Sequence, residues 1–438
     1  MRRASLIAGI MCWAGFHAAA AAPGHDVVIA NARIIVGNGQ VIDRGAVVVK
    51  DGRIASVSSG PPPKAARGRR IDASGMTVIA GYIDGHRHLI PLYGYGLPIP
   101  GRPPLTTPED YLKTKAPSSM LELLESGVTT VQSGGDDSAA ILKLKQMVET
   151  GQIKGPRIVS SAQVPTAQLK SEAEVRAAVD AAFKSGADSI AEVPYPFPQL
   201  TKPGAGQWPF SPSDQETKNL AAGLDEAKKV GIPFQVHAVS PQAAVAAVKL
   251  GARRLVHSSH YDWMTTDQAK EMAATGAIVA TSAANPGPVF GVFNKDNKPT
   301  YRDGAAWPQG EIAMGEDRGK GVGYMVINAR TFFDNGGELA YSSDTGYNAT
   351  AGLNQELKTL NLVFSPQDMV KIIGPNSADF VNHGADRGTL EVGKLGDILI
   401  LSGNPLDGYW NFLSPQVVIK GGEVVIDKRR KARPRAAH

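Results

Sequence analysis

Cysteine is almost missing from this chain: Cys12 is the single one in 438 residues, and it lies in an apolar N-terminal stretch. A chain trimmed of that stretch can form no disulfide and can offer no thiolate to a metal. Any metal must then be held by histidine, carboxylate or a modified lysine. Aromatic residues are scarce too, at 6%, so the places where they gather stand out. No later apolar run is long enough to cross a bilayer. No glycine-rich phosphate loop opens the repeating middle of the chain, which disfavours a nucleotide-binding open sheet. The first residues read as an export signal, with Arg2 and Arg3 ahead of Leu6 to Phe16 and then the small residues Ala18 to Ala22. Removal of residues 1–22 and a periplasmic or secreted location, without a stable membrane anchor, are expected.

The positive charge is local. Lys428, Arg429, Arg430, Lys431, Arg433 and Arg435 outnumber the whole chain's net +5, so everything before them is close to neutral and slightly acidic. Residues 428–438 read as a solvated basic tail, and the body has no nucleic-acid-binding character. The 42% hydrophobic and 20% charged residues are those of a globular chain. Its length suits one large barrel with a small satellite.

Strand-like texture marks both ends. Val27 to Ala30, Ala46 to Val49 and Ile54 to Val57 alternate around the hairpin signal Asp51-Gly52. The same texture returns in Asp397 to Leu401, Val417 to Lys420 and Glu423 to Ile426. The economical reading is one small β-sandwich built from residues 26–80 and 386–427. The inserted middle, 81–385, repeats strand then helix: Val128 to Val131, Arg157 to Ser160, Gln235 to Ala238, Arg254 to His257 and Ala277 to Thr281 are each followed by a helical stretch. Such a rhythm predicts a (β/α)8 TIM barrel.

The histidines fall at particular places in that rhythm. His86-Arg87-His88 closes an apolar strand, and residues two apart share a face, so both imidazoles point one way and Arg87 the other. His237 and His257 also end strands, and Asp344 follows Leu339 to Ser343. Four of nine histidines at strand ends is not how scattered core histidines distribute. Strand C-termini are where a barrel gathers its chemistry, and this residue set suits a divalent cation. An aspartate at the last strand could ligate and also take a proton from water, whose pKa a cation lowers toward about 7.

The chain resembles the amidohydrolase superfamily, in particular its imidazolonepropionase-like and prolidase-like branch. The resemblance rests on Gly81-Tyr82-Ile83-Asp84-Gly85-His86-Arg87-His88, on Gly127-Val128-Thr129-Thr130-Val131, on His237, His257 and Asp344, and on Arg387 to Asp397. It implies that His86, His88, His237, His257 and Asp344 are metal ligands, with one or two divalent ions, Zn2+ being the expected metal, and Asp344 as general base. Two departures matter. Relatives often carry a bridging carboxylated lysine on the fourth strand, where this chain has Ala191 followed by Glu192. One step along a strand reverses the face, so Glu192 can serve as a ligand only if a bulge shifts the register. The second departure is Arg87, which needs an acidic partner if buried; Glu192 facing outward is a candidate.

Ring deaminases of the superfamily usually have a glutamate three residues after the fifth-strand histidine, and that position here is Ser240. Hydrolysis of an amide or peptide C–N bond is therefore expected, on an N-acyl amino acid or dipeptide-like small molecule. A lactonase on the same site, or a metal-binding barrel without turnover, are the alternatives. Tyr95, Tyr195, Trp263 and Tyr347 lie in loops that a barrel would gather over its active face, so an apolar or aromatic substrate group is expected there. Homo-oligomerisation is left open.

Overall fold

A computed structural model describes residues 26–91, 104–196, 210–284, 315–344 and 349–429. In chain order the strands are β1 (Val27–Ile35), β2 (Val41–Lys50), β3 (Arg53–Ser59), β4 (Arg69–Asp72), β5 (Thr77–Ala80), β6 (Tyr82–Arg87), β7 (Val128–Ser133), β8 (Arg157–Val159) and β9 (Ser161–Ala162). They continue with β10 (Ser189–Pro194), β11 (Phe234–His237), β12 (Arg254–Val256), β13 (Ile278–Ala280), β14 (Glu338–Ala340), β15 (Ile398–Leu401), β16 (Pro415–Lys420) and β17 (Glu423–Asp427).

The two ends of the chain share one sheet, ordered β17-β16-β15-β5-β1-β2-β3 with β4 also on β1. Pairing is continuous because β5 lies antiparallel to β15 on one edge and parallel to β1 on the other. The eight strands thus form one hydrogen-bonded sheet, where two packed sheets of a sandwich were expected. Asp51 and Gly52 both have positive φ, 50° and 75°, as a two-residue type I′ turn between β2 and β3 requires. Alternate residues Val27, Ile29, Val47, Val49, Val78, Ile398, Ile400, Val417 and Ile419 build the core on one face. Their neighbours Ile79, Leu399, Leu401 and Val418 point oppositely, into the large cluster formed by the helices and the parallel strands. An ion pair adds to that contact: Arg157 Nε donates to Asp397 Oδ2 at 2.9 Å.

Parallel pairing joins β6-β7-β8, and separately β9 through β14 in sequence order. β8 and β9 are one extended run broken at Ser160. Strand–helix alternation with parallel strands is present. Among the described residues no ladder closes β14 onto β6, although two backbone hydrogen bonds connect them, Gly85 N to Tyr341 O and Asp344 N to His86 O, both 2.9 Å. Period two divides each strand between two cores: Ile158, Leu255, Val279 and Leu339 face the helices, while Val159, Val256, Ala280 and Ala340 face an inner cluster. Phe380, Ala378 and Val381 complete that inner cluster. Gly85 is needed there, because a Cβ would lie 2.9 Å from the Phe380 ring.

Candidate metal centre

The strands deliver their polar residues at one end. His86 and His88 stand at the end of β6, His237 ends β11, His257 follows β12, and Asp344 comes four residues after β14. The imidazoles meet edge to face, with ring centroids 5.7 Å apart for His86 and His88, 5.5 Å for His86 and His257, and 4.6 Å for His237 and His257.

Glu192 enters by a local irregularity. The β10–β11 register shifts between Ile190 and Val193, and Glu192 itself has φ of 54°. This is the extra-residue geometry of a bulge, and it re-aims the side chain. Glu192 Oε1 lies 3.2 Å from His237 Nδ1 and 3.4 Å from His257 Nε2. The same oxygen is 3.7 Å from His86 Nε2, and Oε2 is 3.7 Å from His88 Nε2. Asp344 faces the cluster from the other side: Oδ1 is 3.4 Å from His86 Nε2 and 3.3 Å from His88 Nε2, and Oδ2 is 3.6 Å from His257 Nδ1.

These separations test whether an ion fits. Four ligands about 2.0–2.1 Å from a tetrahedral Zn2+ lie roughly 3.3–3.4 Å from one another, close to the nitrogen–oxygen distances found. His86, Glu192, His257 and Asp344 each offer a ligand atom within 4.8 Å of the others. The His86 ring is completely buried, yet neither of its nitrogens has hydrogen-bond geometry to a partner. Burying a nitrogen in that way costs about 1–3 kcal/mol unless something else engages it. An all-nitrogen-and-oxygen donor set suits Zn2+ or a similar divalent ion.

Electrostatics couples the acids to the imidazoles. Burial disfavours charge on Glu192, but the nearby His86 charge and the hydrogen-bonding contacts with His237 and His257 hold its carboxyl well below the usual range. Burial likewise opposes ionisation of Asp344, and His257, His86 and His88 outweigh it and lower the carboxyl. Against the cost of burial, Asp344 and Glu192 raise His88 to about 9 and His86 well above its ordinary value. His237 is lowered, by burial first and then by the neighbouring His257. Two ionised carboxylates facing four imidazoles make a site that favours a cation.

Other residues hold this set in place, and the residue-type pattern alone did not point to them. Asp136 is buried and accepts from Leu89 N at 2.8 Å, Ile90 N at 3.0 Å and Ser133 Oγ at 2.9 Å, with His88 Nδ1 at 3.9 Å from its Oδ1. Ser240 is the N-cap of the helix Pro241–Lys249, its hydroxyl accepting from Ala243 N at 3.2 Å. Glu356 holds the backbone past β13, accepting from Ala283 N at 2.9 Å and Ala284 N at 2.8 Å, and burial pushes its carboxyl up to about 7. A carboxylate spaced two or so residues from a ligand, as Asp84 is from His86, is the one signal that could have drawn attention to such supports.

Some expectations need correction. Arg87 is buried and donates to Ser343 Oγ at 3.0 Å, with the charge of Asp84 nearby, while Glu192 faces the imidazoles. Tyr195 is only 3% exposed; its hydroxyl pairs with Thr217 Oγ1 at 3.1 Å and its ring packs on Phe210. It joins the site through its backbone, donating from N to His237 O at 2.9 Å. A loop aromatic that fills space in this way is unavailable to line a mouth. Trp263 is exposed and stacks edge-on against Tyr324, at 4.3 Å between centroids. Tyr95 and Tyr347 lie outside the described residues.

Comparison with known proteins places the chain among hydrolases of one family and fold. The amidohydrolase family profile matches residues 77–425. An imidazolonepropionase of Thermoanaerobacter pseudethanolicus (strain ATCC 33223 / 39E) is 22% identical over 411 residues, covering 84% of this chain and 86% of its own. A Xaa-Pro dipeptidase with methionine bound in its active site superposes with a TM-score of 0.74 at 21% identity, over 92% of this chain and all of that one. A putative prolidase from Bifidobacterium longum gives a TM-score of 0.72 at 24% identity, over 93% and 96% of the two chains.

Proposed function

The chain belongs to the amidohydrolase family, hydrolases of C–N bonds, and from that premise we propose that it cleaves the amide or peptide bond of an N-acyl amino acid or dipeptide-like molecule. The substrate carries an apolar or aromatic group. His86, His88, His237, His257, Asp344 and Glu192 hold one or two divalent ions, Zn2+ being the metal that the donor set favours. The observation that carries this reading is the meeting of two acidic side chains, Glu192 and Asp344, with all four strand-end imidazoles.

An ion held by these residues would supply Lewis acidity, to polarise the scissile carbonyl and acidify water. Asp344 is held ionised by its imidazole neighbours, so it is in the base form at neutral pH. Its carboxylate takes a proton from the attacking water and returns it to the leaving nitrogen as the C–N bond breaks. Ser240 is already occupied as a helix cap, which agrees with a reaction that needs no second proton shuttle at that position. We read the parallel strands as a (β/α)8 barrel of residues 81–385, as the structural neighbours imply, with 26–80 and 386–427 forming the satellite. The chain is exported to the periplasm or medium after loss of residues 1–22.

The test is a screen of N-acyl amino acids, dipeptides and lactones with metal-replete and chelator-treated protein. Amide turnover that disappears on chelation and returns with Zn2+ is expected. Lactone turnover without amide turnover would refute the substrate class, and full activity after chelation would refute the metal.

A further inference from the structure

Arg87 lies between two of the proposed ligands, and period two turns it away from them into the protein, where it is 5% exposed. A buried guanidinium is retained only with good partners, since desolvating it costs several kcal/mol. One partner is Ser343, whose Oγ accepts from Arg87 Nη1 at 3.0 Å and donates to Asp84 Oδ2 at 2.6 Å. Asp84 Oδ1 in turn accepts from Ser343 N at 3.0 Å and from His86 N at 3.3 Å. All three side chains are buried.

Ser343 precedes Asp344, and Asp344 has φ of 45°. Aspartate tolerates that region better than most residues, and its surroundings hold it there. Here the surroundings are one strand. Asp344 N donates to His86 O at 2.9 Å, while Ser343 is gripped through both its N–H and its hydroxyl by residues on either side of His86. The segment that carries His86 and His88 therefore also fixes the backbone from which Asp344 projects.

We propose that Asp84, Arg87 and Ser343 form a buried clamp that positions the Asp344 carboxylate against the imidazoles. They are positioning residues that touch neither substrate nor ion. The inference rests on the reading of Asp344 as ligand and base. It goes beyond neutralisation of Asp84 by Arg87, which would leave the Ser343 hydroxyl without consequence.

The test uses full-length protein loaded with Co2+, whose visible absorption reports the ligand geometry. Ser343→Ala keeps both charges and removes only the bridging hydroxyl. It is expected to retain the wild-type cobalt content but to shift the visible band in the direction that Asp344→Asn shifts it. With any substrate found in the screen, kcat should fall about 10–100-fold with KM little changed. Ser343→Thr, which restores a hydroxyl, should recover the wild-type band. Arg87→Lys, which keeps the charge but loses the fixed fork, should give an intermediate shift and stands in if Ser343→Ala does not fold. A wild-type spectrum and rate in Ser343→Ala, or in Arg87→Lys if that variant stands in, beside a shifted band in Asp344→Asn, overturns the clamp alone. An unshifted band in Asp344→Asn overturns the reading of Asp344, and the clamp with it.

Discussion

In the sheet made by β1–β5 and β15–β17, the inward face is almost entirely Val, Ile, Leu and Ala. The ends of the parallel strands instead bury Asp84, His86, Arg87, His88, Asp136, His257 and Ser343. The backbones differ in the same sense. Non-glycine residues with positive φ in the first region are Asn31 and Asp51, types that tolerate the left-handed region at little cost. In the second they are Asp344, of the same tolerant type, together with Glu192, His257 and Ser282, at or just after the ends of β14, β10, β12 and β13. Irregular backbone and buried charge are thus concentrated where the proposed chemistry lies, and uniform apolar packing elsewhere offsets their cost.

The contrast predicts that substitutions in the two regions fail differently. Replacing His86 and His88 together by alanine should lower turnover by about 10³-fold or more and strip most of the bound metal, while far-ultraviolet dichroism stays native. Retained metal and activity in that variant would erase the distinction. In the apolar regions the loss should be of stability alone. Phe380→Ala, under the inner cluster, should cost about 3–5 kcal/mol in urea unfolding, and Ile29→Ala in the end sheet about 2–5 kcal/mol. The two variants should keep their metal content. A drop in metal at unchanged stability for Ile29→Ala would mean that the end sheet reaches the site.

Much of the site was legible because it depends on residue type and strand period. His86-x-His88 shares a face by alternation, and His237, His257 and Asp344 each close a β-branched or apolar run that ends in a turn. Glu192 was not legible in the same way. Alternation places Ala191 inward, and only a one-residue register shift between Ile190 and Val193 turns the glutamate to the imidazoles; a bulge leaves no mark in the hydrophobic pattern. Ser343, Asp84 and Asp136 act through partners far off in sequence, so their roles appear only when β14 and the end of β7 lie beside β6. Tyr195 was misread because nothing in a loop's composition separates an aromatic that packs from one that lines a mouth. The end strands were legible from their turns, but their joining into one sheet depends on β5 pairing on both sides.

A smaller effect should follow from Glu356, a buried acid outside the ligand set. Burial raises its folded-state pKa to about 7 from an ordinary 4.5, so the fold binds its proton more tightly than the unfolded chain does. The sign is therefore that its contribution is complete below the unfolded value and is lost as pH rises through the folded one. The loss is on the order of 3 kcal/mol at most. Glu356→Gln should flatten the decline of Tm between about pH 5 and 8. Parallel Tm profiles for wild type and variant would show that the donors around Glu356, Thr281 Oγ1 and the N–H groups of Ala283 and Ala284, and not burial, set its ionisation.

The account turns on the bulge in β10, which brings Glu192 between the histidine pair of β6 and the histidines of β11 and β12. The direct measurement is metal per chain, together with turnover, in Glu192→Gln and Asp344→Asn beside the wild type. Glu192→Gln should lose one metal per chain and most of the turnover, whereas Asp344→Asn should lose turnover and keep much of its metal, because four imidazoles remain. Wild-type metal content and rate in Glu192→Gln would contradict the account, leaving Glu192 a bystander among the imidazoles.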